Sequence, residues 1–284
     1  MFGQEWSALV FGLSAAASWG AGDFSGGLAA RRASVYSVIV SSQAVSALGL
    51  LVVALLLGEA LPAWPVLLIA GVGGIAGGLG LVAFYTALAE GDMGPVAPIS
   101  AVVTGSVPVM VGLAVEGLPG PSQMIGFALA AVAVWLIAGV ASQRGGRISP
   151  EMGLAALSGI GFGVLFVCLD LAGGQSAAVF WPLLAARIAS LTVLTTVAMW
   201  RGQALVPPRS RRALIAVIAL ADTVGNVFFI WASQSGRLDI AATLGSLYPA
   251  ATVLLARQIL RERLTRQQWW GVAAALLAVV LIAG

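Results

Sequence analysis

The sequence predicts an all-α integral membrane protein of ten transmembrane helices, arranged as two inverted five-helix repeats. Three observations carry this. Of 284 residues, 60% are apolar and only 9% charged, with a mean hydropathy of +1.02, whereas a soluble domain carries about 25% charged residues. A water-soluble fold of this length would leave too much apolar surface uncovered, so the solvent is lipid. The apolar residues also fall into runs of about 20, the length that crosses the hydrocarbon core of a bilayer. Finally, the chain repeats itself: Leu136-Ile137-Ala138-Gly139 recurs as Leu281-Ile282-Ala283-Gly284, 145 residues later.

At that offset Gln123, Gly126, Ala128, Ala130, Ala133 and Val134 match Gln268, Gly271, Ala273, Ala275, Ala278 and Val279. Upstream, Phe84, Ala87, Gly91 and Ala97 match Phe229, Ala232, Gly236 and Ala242. The repeats are read as residues 1–145 and 146–284. An odd number of spans in each sets the two halves antiparallel in the membrane.

Taken in order, the spans are expected at 7–29, 35–57, 64–88, 94–115, 121–141, 152–172, 177–199, 212–234, 239–260 and 267–284. The stretch MFGQEW lacks a basic region, so the first run is read as a retained helix and not a cleaved leader. Alternating barrel patterning is absent. Span 3 carries GVGGIAGGLG, with Gly73/Gly77 and Gly74/Gly78 at the spacing that lets helix backbones approach closely. Gly78 and Gly80 loosely match a dinucleotide fingerprint, but no strand precedes them and the match is discarded. Span 4 holds Pro95, Pro98 and Pro108; span 9 holds Gly245 and Tyr248-Pro249. Both are expected to be interrupted, because proline removes a backbone donor. Breaks in corresponding spans point to a midplane site, with static kinks as the plainer reading.

All fourteen basic residues are arginines. They are dispersed between apolar runs, which argues for loop anchors and against nucleic-acid binding. Twelve fall on one face, at 31, 32, 144, 147, 201, 209, 211, 212, 257, 261, 263 and 266, and Arg237 alone lies opposite. This predicts both termini outside the cell. The single cysteine, Cys168, excludes an intrachain disulfide, and the lack of histidine excludes imidazole metal sites and relays.

Trp19-Gly20 with Asp23-Phe24, the Gly236 turn, Ser246-Leu247-Tyr248-Pro249, and Leu260-Arg261-Glu262-Arg263-Leu264-Thr265 before Gln268 and Gly271 resemble EamA-type proteins of the drug/metabolite transporter superfamily. The resemblance covers the chain as two EamA repeats. In the first copy the span 9–10 signature is replaced by Glu116-Gly117-Leu118-Pro119-Gly120-Pro121. The resemblance implies a central cavity lined by spans 1–4 and 6–9, with 5 and 10 peripheral, and transport of amino acids, other metabolites or drugs, often outward. It also implies cytoplasmic termini, against the arginine count.

Ionisable residues inside spans are costly and face a cavity or a partner. Asp23, Asp170, Arg187 and Asp222 qualify, with Asn226 one turn from Asp222 on the same helix face. Arg187 and Asp222 are expected at similar depth on consecutive spans. They form either a structural ion pair or part of a substrate or proton site. Trp19, Tyr85, Trp181, Trp231 and Tyr248 are candidate cavity walls, or else interface anchors, as Trp6, Trp64, Trp200, Trp269 and Trp270 are read.

No nucleophile–base pair, phosphate loop or metal cluster is visible, so neither an enzyme nor a cofactor is expected. The expectation is a secondary transporter of a small metabolite, an amino acid being the first guess, acting outward in a bacterial inner membrane. A multidrug or cation exporter and a lipid-linked phosphate carrier flippase are the alternatives. The partners expected are a small solute and the bilayer, with monomer and homodimer both open.

Overall fold

In a computed structural model, the described residues are 2–90, 93–115, 117–138, 150–260 and 265–283. They fold into helices joined by short turns, with no strand among them. The helices are α1 (Phe2–Ala30), α2 (Val35–Leu56), α3 (Trp64–Glu90), α4 (Met93–Val115), α5 (Pro121–Ala138), α6 (Pro150–Gln175), α7 (Phe180–Trp200), α8 (Arg212–Ser235), α9 (Leu238–Gly245), α10 (Tyr248–Leu260) and α11 (Arg266–Ala283). Five (α2, α3, α6, α7 and α8) are long and apolar enough to cross a membrane, and shorter apolar stretches lie at Ile99–Val115 and Pro121–Leu136.

The packing is that of a protein immersed in lipid. Leu48, Val72, Ile188 and Leu220, all mid-helix, are 64, 58, 53 and 67% exposed. Ser37, Ser42, Gln43 and Ser46 of α2 are instead buried. A soluble helix turns its apolar stripe inward; α2 turns its polar stripe inward and leaves leucine and valine outside. Exposed apolar surface on this scale is costly in water and costs nothing against acyl chains.

The two expected interruptions come out differently. α4 runs through its prolines as one helix. Pro95 falls in the first turn, where a helix amide has no partner anyway. Pro108 is interior, and its missing N–H frees the Thr104 carbonyl. The ninth run does split. α9 closes with Leu247 N–H on Leu244 O, and α10 begins at Tyr248 with Pro249 in its first turn, where proline is tolerated.

The glycines of α3 serve two neighbours. A Cβ at Gly73 would come within 2.5 Å of Cys168 Cβ, and one at Gly77 within 2.7 Å of Leu165 Cδ2, both on α6. A Cβ at Gly74 or Gly78 would collide with Ala186 O or Ser190 Oγ of α7. Each small-xxx-small pair thus seats a different helix. α3 packs on α6 and α7, α1 on α8 and α10, α2 on α7, and α5 on α11.

Candidate functional site

Where α1, α2, α3, α4, α6, α7, α8 and α10 converge they leave a cavity with about 690 Å³ of empty space, its mouth included. None of the described lining residues comes from α5 or α11.

Trp19 forms one wall. Its ring stacks on Phe166 (centroids 4.8 Å, 14°) and tilts against Phe229 at 5.8 Å. It fits because two facing positions are glycines: a Cβ at Gly225 would lie 2.6 Å from Trp19 Cδ1, and one at Gly245 2.9 Å from Cζ3. Tyr248, at the head of α10, donates from its hydroxyl to Ala97 O at 3.2 Å and completes the aromatic side.

The polar side is an ion pair held between helices that are not each other's main neighbours. Arg187 is on α7, which packs on α3 and α2; Asp222 is on α8, which packs on α1. Arg187 Nη2 donates to Asp222 Oδ2. The other carboxylate oxygen, Oδ1, receives Asn226 Nδ2 at 3.4 Å, and the same amide donates to Asp222 O at 2.8 Å. Asn226 therefore orients the carboxylate from one turn away. The pair bridges the cavity instead of sealing one helix seam. The Asp222 side chain keeps 30% of its surface exposed and Arg187 10%.

Asp23 lines the same cavity from α1. It has neither an ion pair nor a hydrogen bond among the described residues. A smaller chamber adjoins it, walled by Ser42, Tyr85, Ile218 and Asp222. Tyr85 reaches this chamber past Gly26, where any Cβ would meet its ring and hydroxyl. The cavity thus holds two carboxylates and one guanidinium among its described lining residues. Among the described residues, three buried polar atoms around it have no partner: Gln43 Oε1, Thr104 Oγ1 and Arg187 Nε. Unpartnered buried polar atoms are rare and call for an unseen partner; water or a solute in the cavity would supply it.

The sequence profile of the EamA-like transporter family matches residues 149–284. The match covers a little under half of the chain, which over those residues is similar to EamA-like transporters. The long apolar helices are those of a multi-pass membrane protein. No curated protein matches the sequence. Among solved structures similar to the chain is a crystal structure of a protein with 18% identity, a TM-score of 0.75 and 97% of each chain covered. At that identity the likeness is one of fold.

Of the residues singled out from the sequence, the cavity gathers Trp19, Asp23, Arg187, Asp222, Asn226 and Tyr248, and Tyr85 joins through the adjoining chamber. Asp170, Trp181 and Trp231 do not line it. Trp181 opens α7 and bonds to Glu59. Trp231 is 36% exposed and packs on Phe11 and Phe228. Gln43, Thr104, Phe162 and Phe166 line the cavity unforeseen. Gln43 had a signal, as the one carboxamide of the second run, and Thr104 a weaker one, four residues before Pro108. The phenylalanines had none.

Asp239 was also unforeseen. It is fully buried at the start of α9 and takes Arg237 through two bonds, at 3.1 and 2.8 Å. Arg237 also donates to Gly117 O at 2.9 Å, linking this end of α9 to the turn before α5.

Proposed function

We propose that the chain is a secondary transporter for a small solute carrying an amino group, an amino acid being the type, and that it moves this cargo outward across a bacterial inner membrane. The observation that carries the reading is the cavity itself: an oriented Arg187–Asp222 pair, an unpaired Asp23, and an aromatic wall at Trp19. Arg187 Nε has no partner among the described residues and is left for a carboxylate, and Asp23 is left for an ammonium group. Charged groups at membrane depth are costly, so their presence there marks a functional site.

The architecture we infer is ten spans in two inverted repeats, α1–α5 and α6–α11, with α9 and α10 together making one span. The helix pairings support it. Exchanging the halves turns α1–α8 into α6–α3, α1–α10 into α6–α4, and α2–α8 into α7–α3, and all of these pairs are packed. α2–α7 and α5–α11 map onto themselves. In such folds alternating access is a rocking of one repeat against the other around a fixed central site. Any uphill transport draws on an ion gradient or exchange.

A second reading is an exporter of organic cations. The surplus of one carboxylate over guanidinium, beside stacked aromatics, favours it. Efflux from proteoliposomes preloaded with radiolabelled amino acids, and separately with an organic cation such as tetraphenylphosphonium, separates the readings. Amino-acid efflux that Arg187→Ala abolishes is the expected result. Cation efflux alone would transfer the reading to the second class, and no flux from a folded protein with any cargo would overturn both.

A further inference from the structure

α2 and α7 lie antiparallel, and each helix begins where the other ends. At one end the Glu59 carboxylate, in the turn after α2, accepts three backbone amides at the start of α7: Val179 N to Oε1 at 2.7 Å, Phe180 N to Oε2 at 3.0 Å, and Trp181 N to Oε2 at 2.9 Å. Trp181 Nε1 also donates to Glu59 O at 2.8 Å. The next residue, Pro182, has no N–H, and Leu183 N–H already bonds Val179 O. Glu59 therefore takes every free amide at that helix end. Its negative charge also sits at the positive end of the helix dipole.

The opposite end is built the same way with one change. The turns after α2 and α7 share three backbone bonds, 144 residues apart (202 − 58): Leu57 N to Val53 O, Gly58 N to Leu55 O and Glu59 N to Ala54 O recur as Arg201 N to Val197 O, Gly202 N to Met199 O and Gln203 N to Ala198 O. Gly58 and Gly202 both have positive φ, +62° and +64°, the left-handed conformation that glycine adopts without strain. The residue after the glycine is Glu59 in one turn and Gln203 in the other. Gln203 accepts a single bond, from Ser34 Oγ at 3.1 Å, and the first-turn amides of α2 have no side-chain cap. With 22 residues in α2, the two clasps are about 33 Å apart, on opposite faces of the membrane.

We propose that Glu59 is a positioning residue of the transport cycle. Its carboxylate holds the α2–α7 pair shut at its own end, and the neutral Gln203 leaves the other end to part first. The role in transport rests on the alternating-access reading above; the clasp itself does not.

The test places nitroxide pairs on full-length protein in liposomes, in a Cys168→Ser background. Leu61→Cys with Ala177→Cys, in the turn that leads into α7, reports the Glu59 end, and Arg32→Cys with Ala204→Cys the Gln203 end. The expected result is one short distance at the Glu59 end and a mixture at the other. Glu59→Gln, which keeps one acceptor oxygen and no charge, should introduce a longer distance at its end, with a roughly tenfold change in the ratio of the two populations, or about 1.4 kcal/mol. Glu59→Ala should go further. Gln203→Glu should narrow the opposite end. In flux assays Glu59→Gln should change turnover while leaving cargo affinity in place, a split that a simple loss of stability does not produce.

Unchanged distances at both ends in folded Glu59→Gln protein would overturn the proposal and reduce Glu59 to a passive helix cap. These distances are read without cargo. Shifted distances in a protein that moves no solute would leave the clasp standing and sink the transporter reading alone.

Discussion

Arg187 and Asp222 meet across the cavity from helices packed on different partners, α7 on α3 and α8 on α1. Neither end of the pair is free to follow the other if one is removed. Stripping one partner from a buried pair costs about 3–5 kcal/mol in proteins generally, softened in membranes by water and snorkelling. We expect Arg187→Ala and Asp222→Ala each to stay folded, because the cavity admits water to the orphaned group, and each to lose cargo binding. The double variant should recover thermal stability but remain inactive. A fully active double variant would make the pair a helix tie and nothing more.

Asp23 behaves differently because no described residue gives it a cation to lose. Asp23→Asn preserves size and removes the charge. If Asp23 carries the coupling ion, this variant should still exchange internal for external cargo while losing accumulation against a gradient. Counterflow and gradient-driven uptake, measured side by side in proteoliposomes, decide it. Loss of both activities would assign Asp23 to cargo binding instead.

The membrane orientation has a direct readout. Ser210, after α7, and Leu61, after α2, lie at opposite ends of the antiparallel α2–α7 pair. In a Cys168→Ser background, a cysteine at Ser210 should be protected from an impermeant thiol reagent in intact cells, and one at Leu61 should label. The reverse pattern would put the termini in the cytoplasm, as the family resemblance implies and the arginine distribution does not. Leu61 is preferable to Gly58, whose φ of +62° would strain any replacement.

The helices were legible because lipid demands long apolar runs, and arginines, glycines and prolines punctuate them. The charged members of the cavity were legible for the same reason: a carboxylate such as Asp222 in an apolar run stands out at once. What could not be read was which way side chains point. Trp19 and Trp231 look alike in sequence, yet one is clamped between glycines of α8 and α9 and the other faces outward beside Phe228. Phe166 resembles any other lipid-facing phenylalanine until α1 is laid against it. Proline was misleading too: the ninth run breaks just before Pro249, whereas α4 continues through the interior Pro108 with the Thr104 carbonyl freed.

The Trp19 clamp yields the sharpest single-site prediction. Gly225 and Gly245 press the indole from two helices, and Phe166 and Phe229 hold its ring. The ring faces the cavity that Trp19 lines. A methyl group at Gly225 would sit 2.6 Å from both Trp19 Cδ1 and Nε1, closer than carbon atoms pack, so Gly225→Ala must push the ring toward the cavity. Overpacking of this kind typically costs about 1–3 kcal/mol, which should appear as a lowered midpoint of thermal unfolding. Cargo affinity should fall further than that loss explains, because the displaced ring occupies cargo volume. Adding Trp19→Phe to Gly225→Ala removes the colliding indole edge and should restore the unfolding midpoint. Affinity should recover in part if volume is what was lost, and not at all if the indole itself contacts the cargo. A Gly225→Ala protein with unchanged midpoint and unchanged affinity would mean that α8 simply moves aside, and that Trp19 does not shape the cavity.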